Sequence, residues 1–373
     1  MEDMELRPFG DVFRGKRVLV TGHTGFKGSW LALWLHDLGA QAIGLALAPD
    51  TYPSHFELAG LMDIIKHIEG DIRDQHFVNN TFKMAKPEIV FHLAAQALVR
   101  DSYDDPKKTL DTNVGGTVNI LEAIRASSSV KAAVVITSDK CYENKEWGWG
   151  YRENDPMGGH DPYSASKGAT EIVCSAYRRS FFDKAGHGPH IGFATVRAGN
   201  VVGGGDWAKD RLIPDCIRAL SENKPIVIRN PNATRPWQHV LDLLSGYLFL
   251  AHQLLNDPDR FSGAWNFGPA DIEHINVEEL AKGFVTAWGE GRIEPVKSNQ
   301  SAPHEANLLR LSIDKAACEL GWLPILNAST AIDWTVNWYK DWHRIGSNMR
   351  KSSLNQIHEY TGIALEKNAR WIE

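Results

Sequence analysis

Residues 17–28 of this 373-residue chain read RVLVTGHTGFKG, an apolar run that leads directly into a glycine-rich turn. Short runs that are apolar throughout are typical of strands buried in a parallel sheet. The turn has the spacing G-x-x-G-x-x-G at Gly22, Gly25 and Gly28, a variant of the dinucleotide-binding fingerprint. Such glycines let a pyrophosphate approach the backbone at the positive end of the following helix. The stretch therefore predicts a strand, a phosphate-binding turn and a helix; a turn with only a structural role is the alternative.

Four further apolar runs follow within the first 200 residues, at positions 42–48, 88–93, 132–136 and 192–196. Longer amphipathic stretches separate them, and Gly39 is expected to end the first helix, as glycine commonly does. Strands that alternate with helices in this way indicate a parallel sheet covered on both faces. The sequence thus predicts an α/β fold with a doubly wound, Rossmann-type sheet.

After Gly199 the pattern changes to short strands and helices separated by glycine-rich loops. We expect residues 11–199 to form the dinucleotide-binding domain, with a segment near 234–270 returning to it. Residues 200–373 would then form mainly a smaller, mixed α/β substrate domain that completes a cleft over the carboxyl edge of the sheet. The polar stretch from about residue 345 is predicted to be a peripheral helix or tail.

Composition excludes several classes of protein. A formal charge of −6 and a pI near 6.2 argue against a nucleic-acid-binding protein, although a locally basic pocket could still take a small anion. The four cysteines are widely spaced, which fits a reducing compartment and predicts neither disulfides nor a metal site. The N-terminus has no apolar signal segment, and no run approaches the roughly 20 apolar residues that span a bilayer. We therefore expect a cytoplasmic protein without a membrane segment.

The nicotinamide cofactor is predicted to be NAD. Between Gly28 and Ile65 there is no Lys or Arg, so the 2′-phosphate of NADP would lack its usual partner there. Asp50 is the nearest acid to the end of the second strand, whereas Arg73 could still reach a 2′-phosphate. Small residues after the strand at 88–93 would let the cofactor lie flat, or would simply pack the core. The predicted cofactor contacts are Gly22, His23, Thr24, Gly25, Phe26, Gly28, Asp71, Ile72, Leu93, Ala94, Ala95, Gln96, Tyr163 and Lys167.

The run DPYSASKG places Tyr163 and Lys167 four residues apart, on one face of a predicted helix. A neighbouring ammonium favours the phenolate, so we expect Tyr163 to act as a base near neutral pH. Ser138, at the end of an apolar strand, would orient the oxygen of the substrate. These groups are the equipment for oxidising an alcohol with a nicotinamide cofactor; the alternative is two surface residues of an amphipathic helix.

Asp139 and Lys140 exceed what simple oxidation requires. A carboxyl group there could protonate a leaving hydroxyl, and an amine could remove the proton next to a newly formed ketone. Together they would perform an elimination. The alternative is an ion pair within a turn.

Long sequence blocks along nearly the whole chain resemble the extended short-chain dehydrogenase/reductase family, which includes nucleotide-sugar epimerases and dehydratases. The blocks are VTGHTGFKGSWL (20–31), HLAAQ (92–96), ITSDKCYENKEWGWGYRENDPMGGHDPYSASKG (136–168), VRAGNVVGGGDW (196–207), RNPNATRPWQHV (229–240) and WNFGP (265–269). They are far more specific than glycine spacing alone.

The resemblance implies that CDP-D-glucose is the substrate, with CDP-4-dehydro-6-deoxy-D-glucose and water as the products. Tyr163 would take the C4 hydroxyl proton, and Asp139 would protonate the departing C6 hydroxyl. Related dehydratases usually carry glutamate where this chain has Lys140, so the identity of the C5 base stays open. Homodimerisation through helices on the flank of the sheet, and a role in deoxysugar synthesis for surface polysaccharide, are further implications.

Alignment with the wider family also implies the substrate contacts. Arg211 and Arg235 would bind the diphosphate and ribose, with Asn200 and Asn266 as hydrogen-bonding partners. Trp147, Trp149 and Tyr151 would either line the sugar pocket or pack in the loop. The competing functions are a nucleotide-sugar 4-epimerase, a dehydratase for another nucleotide hexose, and a non-enzymatic dinucleotide sensor. Asp139 disfavours the epimerase, because an epimerase has no use for an acid at C6.

Overall fold

The computed structural model describes residues 8–209, 211–228, 230–234, 236–270, 275–295, 308–346 and 348–372. The strands within these residues are β1 (Arg17–Thr21), β2 (Gln41–Ala46), β3 (Lys66–Glu69), β4 (Ile89–His92), β5 (Ala132–Ile136), β6 (Gly192–Ala198), β7 (Val201–Val202), β8 (Ile226–Ile228), β9 (Gln238–His239), β10 (Gly263–Phe267) and β11 (Ile293–Pro295).

The helices of the same described ranges are α1 (Phe26–Asp37), α2 (His55–Leu58), α3 (Gln75–Ala85), α4 (Val99–Asp104), α5 (Pro106–Leu110), α6 (Thr117–Arg125), α7 (Pro162–Tyr177), α8 (Leu212–Ser221), α9 (Val240–Asn256), α10 (Pro258–Phe261), α11 (Val277–Trp288), α12 (Ala328–Ile345) and α13 (Arg350–Glu366). None of these helices is both long and apolar enough to cross a bilayer.

The main sheet has the strand order β10-β6-β5-β4-β1-β2-β3, and every pair is parallel. Its two faces pack against separate apolar clusters: Val18 and Val20 of β1 belong to one, and Leu19 to the other. Successive side chains of a strand point to opposite faces, so β1 is apolar throughout because both faces are buried. The prediction of a doubly wound α/β fold is confirmed.

The position of the ligand crevice follows from the strand order. The order reverses between β1 and β4, and ligands of such sheets bind beyond the carboxyl ends of the strands at that point. Thr21 and His92 are paired in register, so the turns after both strands open onto one crevice. The next strand, β5, ends at Ile136, which brings residues 138–140 to the same edge.

The second half of the chain adds small elements above this edge and one strand to the sheet. The pairs β8–β11 and β7–β9 are short and parallel, while β10 extends the main sheet beside β6. The domain boundaries themselves stay a prediction.

The helix expected after residue 345 is present as α13, but it is not peripheral, because one of its faces packs into the core. Helix α13 buries Ile357 and Tyr360 completely, and the Tyr360 hydroxyl donates to Asp242 Oδ1 at 2.9 Å. Trp371, beyond the helix, stacks on Phe9 with a centroid distance of 4.9 Å. The polar residues of this stretch lie on the exposed face of α13. They dominate the composition, so the sequence did not reveal the buried face.

Candidate active site

The glycine turn is packed so closely that two of its positions exclude any side chain. Gly22 has φ +74°, and a Cβ added there would lie 2.7 Å from the Ala94 amide nitrogen. A Cβ on Gly28 would lie 2.1 Å from the Gly22 carbonyl oxygen. Helix α1 begins directly after Gly25, and no described side chain caps it. Its first amides therefore point into the crevice, where they fit a pyrophosphate.

His23 and Thr24 use their side chains to hold this turn. His23 is fully buried, and its Nε2 lies 2.7 Å from His67 Nδ1. Burial lowers the pKa of His23 to about 3, so its ring is neutral. Thr24 Oγ1 donates to the Leu47 carbonyl at 2.9 Å. A cofactor contact by these two residues, and by Phe26 beside them, stays a prediction.

The second edge of the crevice is the turn after β4. Thr21 Oγ1 lies 2.7 Å from His92 Nδ1 and accepts the Ala94 amide at 3.2 Å. The hydrogen bond from the Ala94 amide to Thr21 holds the backbone of Ala94 against Gly22. The neighbouring residues Leu93 and Ala95 are half-buried. The Gln96 side chain turns away to donate to the carbonyl of Leu98 at 2.9 Å, so it shapes the loop.

The residues after β3 bear on the choice of cofactor. Arg73 Nη2 lies 2.6 Å from Asp71 Oδ2, and the hydrogen bond from Arg73 lowers the pKa of that carboxyl. Ile72 is buried against Gly116. Asp71 thus competes with any 2′-phosphate for the Arg73 guanidinium. Asp50 faces the cleft, where its charge raises the pKa of Arg211.

The catalytic candidates meet at the end of β5. Tyr163 and Lys167, on α7, are 7% and 5% exposed, and Ser138 and Asp139 are buried beside them. The Ser138 hydroxyl is hydrogen-bonded to the Tyr163 phenol and donates to Asp139 Oδ1 at 2.9 Å. Helix α7 starts with the Asp161 side chain accepting the Ser164 amide, which fixes its first turn.

Burial changes the pKa values of both Tyr163 and Lys167. Burial raises the pKa of Tyr163 to about 12, and the hydrogen bond from Ser138 only partly opposes that. Lys167 Nζ donates to the Ile136 carbonyl at 3.3 Å, and burial lowers its own pKa to about 8. Burial of the phenol thus opposes its ionisation, and the role of Lys167 in keeping Tyr163 ionised near neutral pH stays a prediction.

Lys27 also faces the site, and the sequence analysis missed it. Burial lowers its pKa to about 8, with Arg211 and Lys167 acting in the same direction and Asp139 opposing. These couplings place its ammonium among the catalytic groups. A signal was present, because a cation in the first turn of a helix is opposed by the helix dipole and needs another reason to be there.

The substrate side of the cleft contains Arg211, which pairs with Asp206 Oδ2 at 3.0 Å. That pair raises the pKa of Arg211, and the positive charge in turn lowers the pKa of Tyr163. Asn200 is half-buried between β6 and β7, where its carbonyl accepts the Gln238 amide. Arg235 lies outside the described residues.

The side chain of Asn266 is hydrogen-bonded within the protein, and its predicted contact with the substrate stays a prediction. It is fully buried on β10, where its Oδ1 accepts the Tyr142 hydroxyl at 2.7 Å. Its Nδ2 donates to the Tyr151 carbonyl at 2.8 Å. Tyr151 stacks between Tyr142 and Trp147, whereas Trp149 is 64% exposed. The loop at residues 142–157, called the aromatic loop below, therefore packs around Tyr151.

Asp139 and Lys140 occupy a single turn directly after β5. Asp139 is 4% exposed. Its Oδ2 packs against Gly199, where an added Cβ would lie only 3.2 Å away. Lys140 is half-buried, and no described carboxylate forms an ion pair with it. A buried carboxyl and an amine beside a phenol can move protons to and from adjacent carbons. No cluster of metal-ligating side chains was found among the described residues.

Comparison with known proteins agrees with this geometry. The model of the NAD dependent epimerase/dehydratase family matches residues 18–268. The chain is 51% identical over 349 residues to the CDP-glucose 4,6-dehydratase of Salmonella typhimurium, covering 93% of this chain and 97% of the relative. It is 28% identical over 342 residues to the dTDP-glucose 4,6-dehydratase of Streptomyces antibioticus, covering 87% and 92%.

Solved structures share the fold. The dTDP-glucose 4,6-dehydratase of Bacillus anthracis in complex with NAD has a TM-score of 0.71 at 21% identity, covering 87% of this chain and 96% of that one. The UDP-glucose 4-epimerase of Thermus thermophilus, also in complex with NAD, has a TM-score of 0.71 at 24% identity, with coverage of 87% and 98%.

Proposed function

The chain belongs to the NAD dependent epimerase/dehydratase family, and from that premise we propose that it is a hydro-lyase acting on CDP-D-glucose. It converts this nucleotide sugar to CDP-4-dehydro-6-deoxy-D-glucose and water. The observation that carries the proposal is the buried carboxyl of Asp139 beside Ser138 and Tyr163, in a chain that shares 51% identity with a CDP-glucose 4,6-dehydratase.

The cofactor is NAD, which when bound would supply reversible hydride transfer to and from the sugar. The residues of the crevice fit it, because Gly22 and Gly28 leave room only for backbone and the first amides of α1 suit the pyrophosphate. Lys167 and Tyr163 would hold the nicotinamide ribose.

In the oxidation, Tyr163 removes the proton of the C4 hydroxyl while Ser138 orients the oxygen. The phenol must first be ionised, and its burial opposes this. Arg211 already favours the phenolate, and Lys167 supplies a second positive charge one helical turn away.

In the elimination, the C4 ketone acidifies the proton at C5, and Lys140 removes it. Asp139 donates a proton to the C6 hydroxyl, the C6–O bond breaks, and water leaves as the C5–C6 double bond forms. After hydride reaches C6, Lys140 returns the proton to C5. Tyr163 then holds the proton from the C4 hydroxyl and Asp139 has lost one, and proton exchange with water would restore both groups for the next turnover.

A panel of nucleotide glucoses tests this function. The purified protein is incubated with NAD and CDP-, dTDP-, UDP- or GDP-glucose, and the products are identified by mass spectrometry and NMR. We expect a 4-keto-6-deoxy sugar, formed fastest from CDP-glucose. A galactose epimer would instead establish the epimerase, and preference for another base would reassign the substrate.

Activity should disappear as the pH rises through about 8. Lys167 acts as a cation, its pKa is lowered to about 8 by burial, and it is therefore charged below that value and neutral above it. The kcat measured against pH should show this alkaline limb. Lys27 has a similar pKa and repels Lys167, so Lys27→Gln should move the midpoint upward. If the alkaline loss of kcat is absent in Lys27→Gln, the titrating group is Lys27 and not Lys167.

We further propose a homodimer that forms through the flank of the sheet covered by α4, α5 and α7. Large apolar side chains are exposed there: Tyr103 is 45% exposed, Leu110 43% and Ile172 62%. Ile172→Glu should convert the dimer to a monomer at micromolar concentration, as measured by size-exclusion chromatography with light scattering. Val227→Glu, a matched change at a 54% exposed site on β8, should leave the assembly intact. A monomeric wild-type protein would contradict the proposal.

The cellular setting is also proposed. All four cysteines lie in the described part of the chain and are free thiols, three of them buried, which fits the reducing cytoplasm. The product carries a reactive C4 ketone suited to reduction or transamination, and we place it in deoxysugar synthesis for surface polysaccharide.

A further inference from the structure

We propose that Glu171 is a positioning residue that acts through Lys167, by holding a buried negative charge one helical turn away from it on α7. The inference rests on the proposed function, because it assigns the requirement for a charged Lys167 to the oxidation step. Tyr163, Lys167 and Glu171 follow one another at intervals of four residues on α7, so they lie along one face of the helix. Glu171 is 4% exposed.

The Glu171 carboxylate is held rigidly from the two strands beneath the helix. Its Oε2 accepts from Arg197 Nη2 at 2.8 Å and from Thr195 Oγ1 at 2.8 Å, both on β6. Its Oε1 accepts from Thr137 Oγ1, directly after β5. Arg197 is fixed in turn by the Tyr142 hydroxyl at 2.7 Å. The negative charge thus has one position relative to the strand that leads to Ser138.

This charge is the main counterweight to the burial of Lys167. Burial lowers the pKa of Lys167, and Glu171 is the largest influence that raises it. The other titratable groups that face Lys167 are Cys141 after β5, Cys174 on α7, His92 on β4, Lys27 on α1 and Tyr163 itself. Burial keeps the thiols protonated and His92 neutral, and Lys27 repels the ammonium.

A purely structural role for the Glu171–Arg197 ion pair makes different predictions. Breaking a buried ion pair from either side destabilises the fold, because the remaining charge is left uncompensated. If the pair only supports the fold, both single variants should therefore behave alike. If Glu171 acts on Lys167, only the loss of the carboxylate should change the titration of the lysine.

The experiment is to follow the titration of Lys167 by NMR of protein labelled with ¹³Cε-lysine, assigned with Lys167→Arg, and in parallel by the pH dependence of kcat. In Glu171→Gln we expect both midpoints to fall by about 1–3 pH units, the usual effect of removing a nearby opposite charge. Glu171→Asp should restore the midpoint in part. Arg197→Met should lower the thermal midpoint of unfolding without lowering the midpoint of Lys167.

The double variant Glu171→Gln/Arg197→Met removes both charges and keeps the test open if the single Glu171 variant fails to fold. It should show a lowered midpoint too, with a smaller fall than in Glu171→Gln, because the positive charge of Arg197 is removed as well. An unchanged midpoint in Glu171→Gln or in the double variant, or an equal fall in Arg197→Met, would overturn the inference. The NMR titration does not depend on turnover, so it stays informative even if the panel of nucleotide glucoses disproves the proposed function.

Discussion

Asp139→Asn should abolish the loss of water while the sugar is still oxidised. The amide keeps the size of the side chain and can still accept the Ser138 hydroxyl, which lies 2.9 Å from Oδ1, but it cannot give a proton to the departing C6 hydroxyl. Losing a general acid should lower the rate of dehydration by about 10²–10⁴-fold. Reduced nicotinamide should then accumulate with the 4-keto sugar, which stopped-flow absorbance and mass spectrometry can follow.

A matched control separates this effect from a general loss of charge. Asp155→Asn changes a carboxylate of the aromatic loop that accepts the Arg152 amide at 2.7 Å, remote from the reacting groups. It should dehydrate at the wild-type rate. If Asp139→Asn also forms the 4-keto-6-deoxy product normally, Asp139 is not the acid.

Tyr163→Phe should block the reaction one step earlier. The ring keeps its buried position on α7, so the fold and cofactor binding should survive, but the base for the C4 proton is gone. We expect kcat to fall by about 10²–10⁴-fold, with no reduced nicotinamide at any time after mixing. This absence distinguishes the variant from Asp139→Asn, in which the first step persists.

Tyr151→Phe provides the control for removing a phenol. The Tyr151 hydroxyl donates to Asn144 Oδ1 at 3.0 Å within the aromatic loop, so its loss should affect stability and leave turnover intact. Accumulation of reduced nicotinamide in Tyr163→Phe would show that another group takes the C4 proton.

The fold could be predicted because its strands are apolar on both faces. The runs at 17–21 and 132–136 coincide with β1 and β5, since a strand buried in a parallel sheet has no solvent face to interrupt the pattern. The glycine spacing also predicted the crevice correctly. Gly22 and Gly28 have no room for a Cβ, so the residue type at these positions is set by the local backbone.

The parts of the site that the sequence did not predict depend on tertiary contacts. The buried position of Asn266 is one of them, because the pairing of β10 with β6 sets its amide among loop carbonyls. The burial of Tyr163 is another, because helical spacing reports its distance from Lys167 but not the desolvation that opposes ionisation. Lys27 was overlooked because a motif defined by glycines says nothing of the residues between them.

The most direct measurement follows a deuterium label placed at C4 of CDP-glucose through a single turnover with NAD. The account predicts a 4-keto-6-deoxy product that carries the label at C6, because the hydride removed at C4 returns to the carbon that lost its hydroxyl. Label retained at C4, or a product without label at C6, would contradict it.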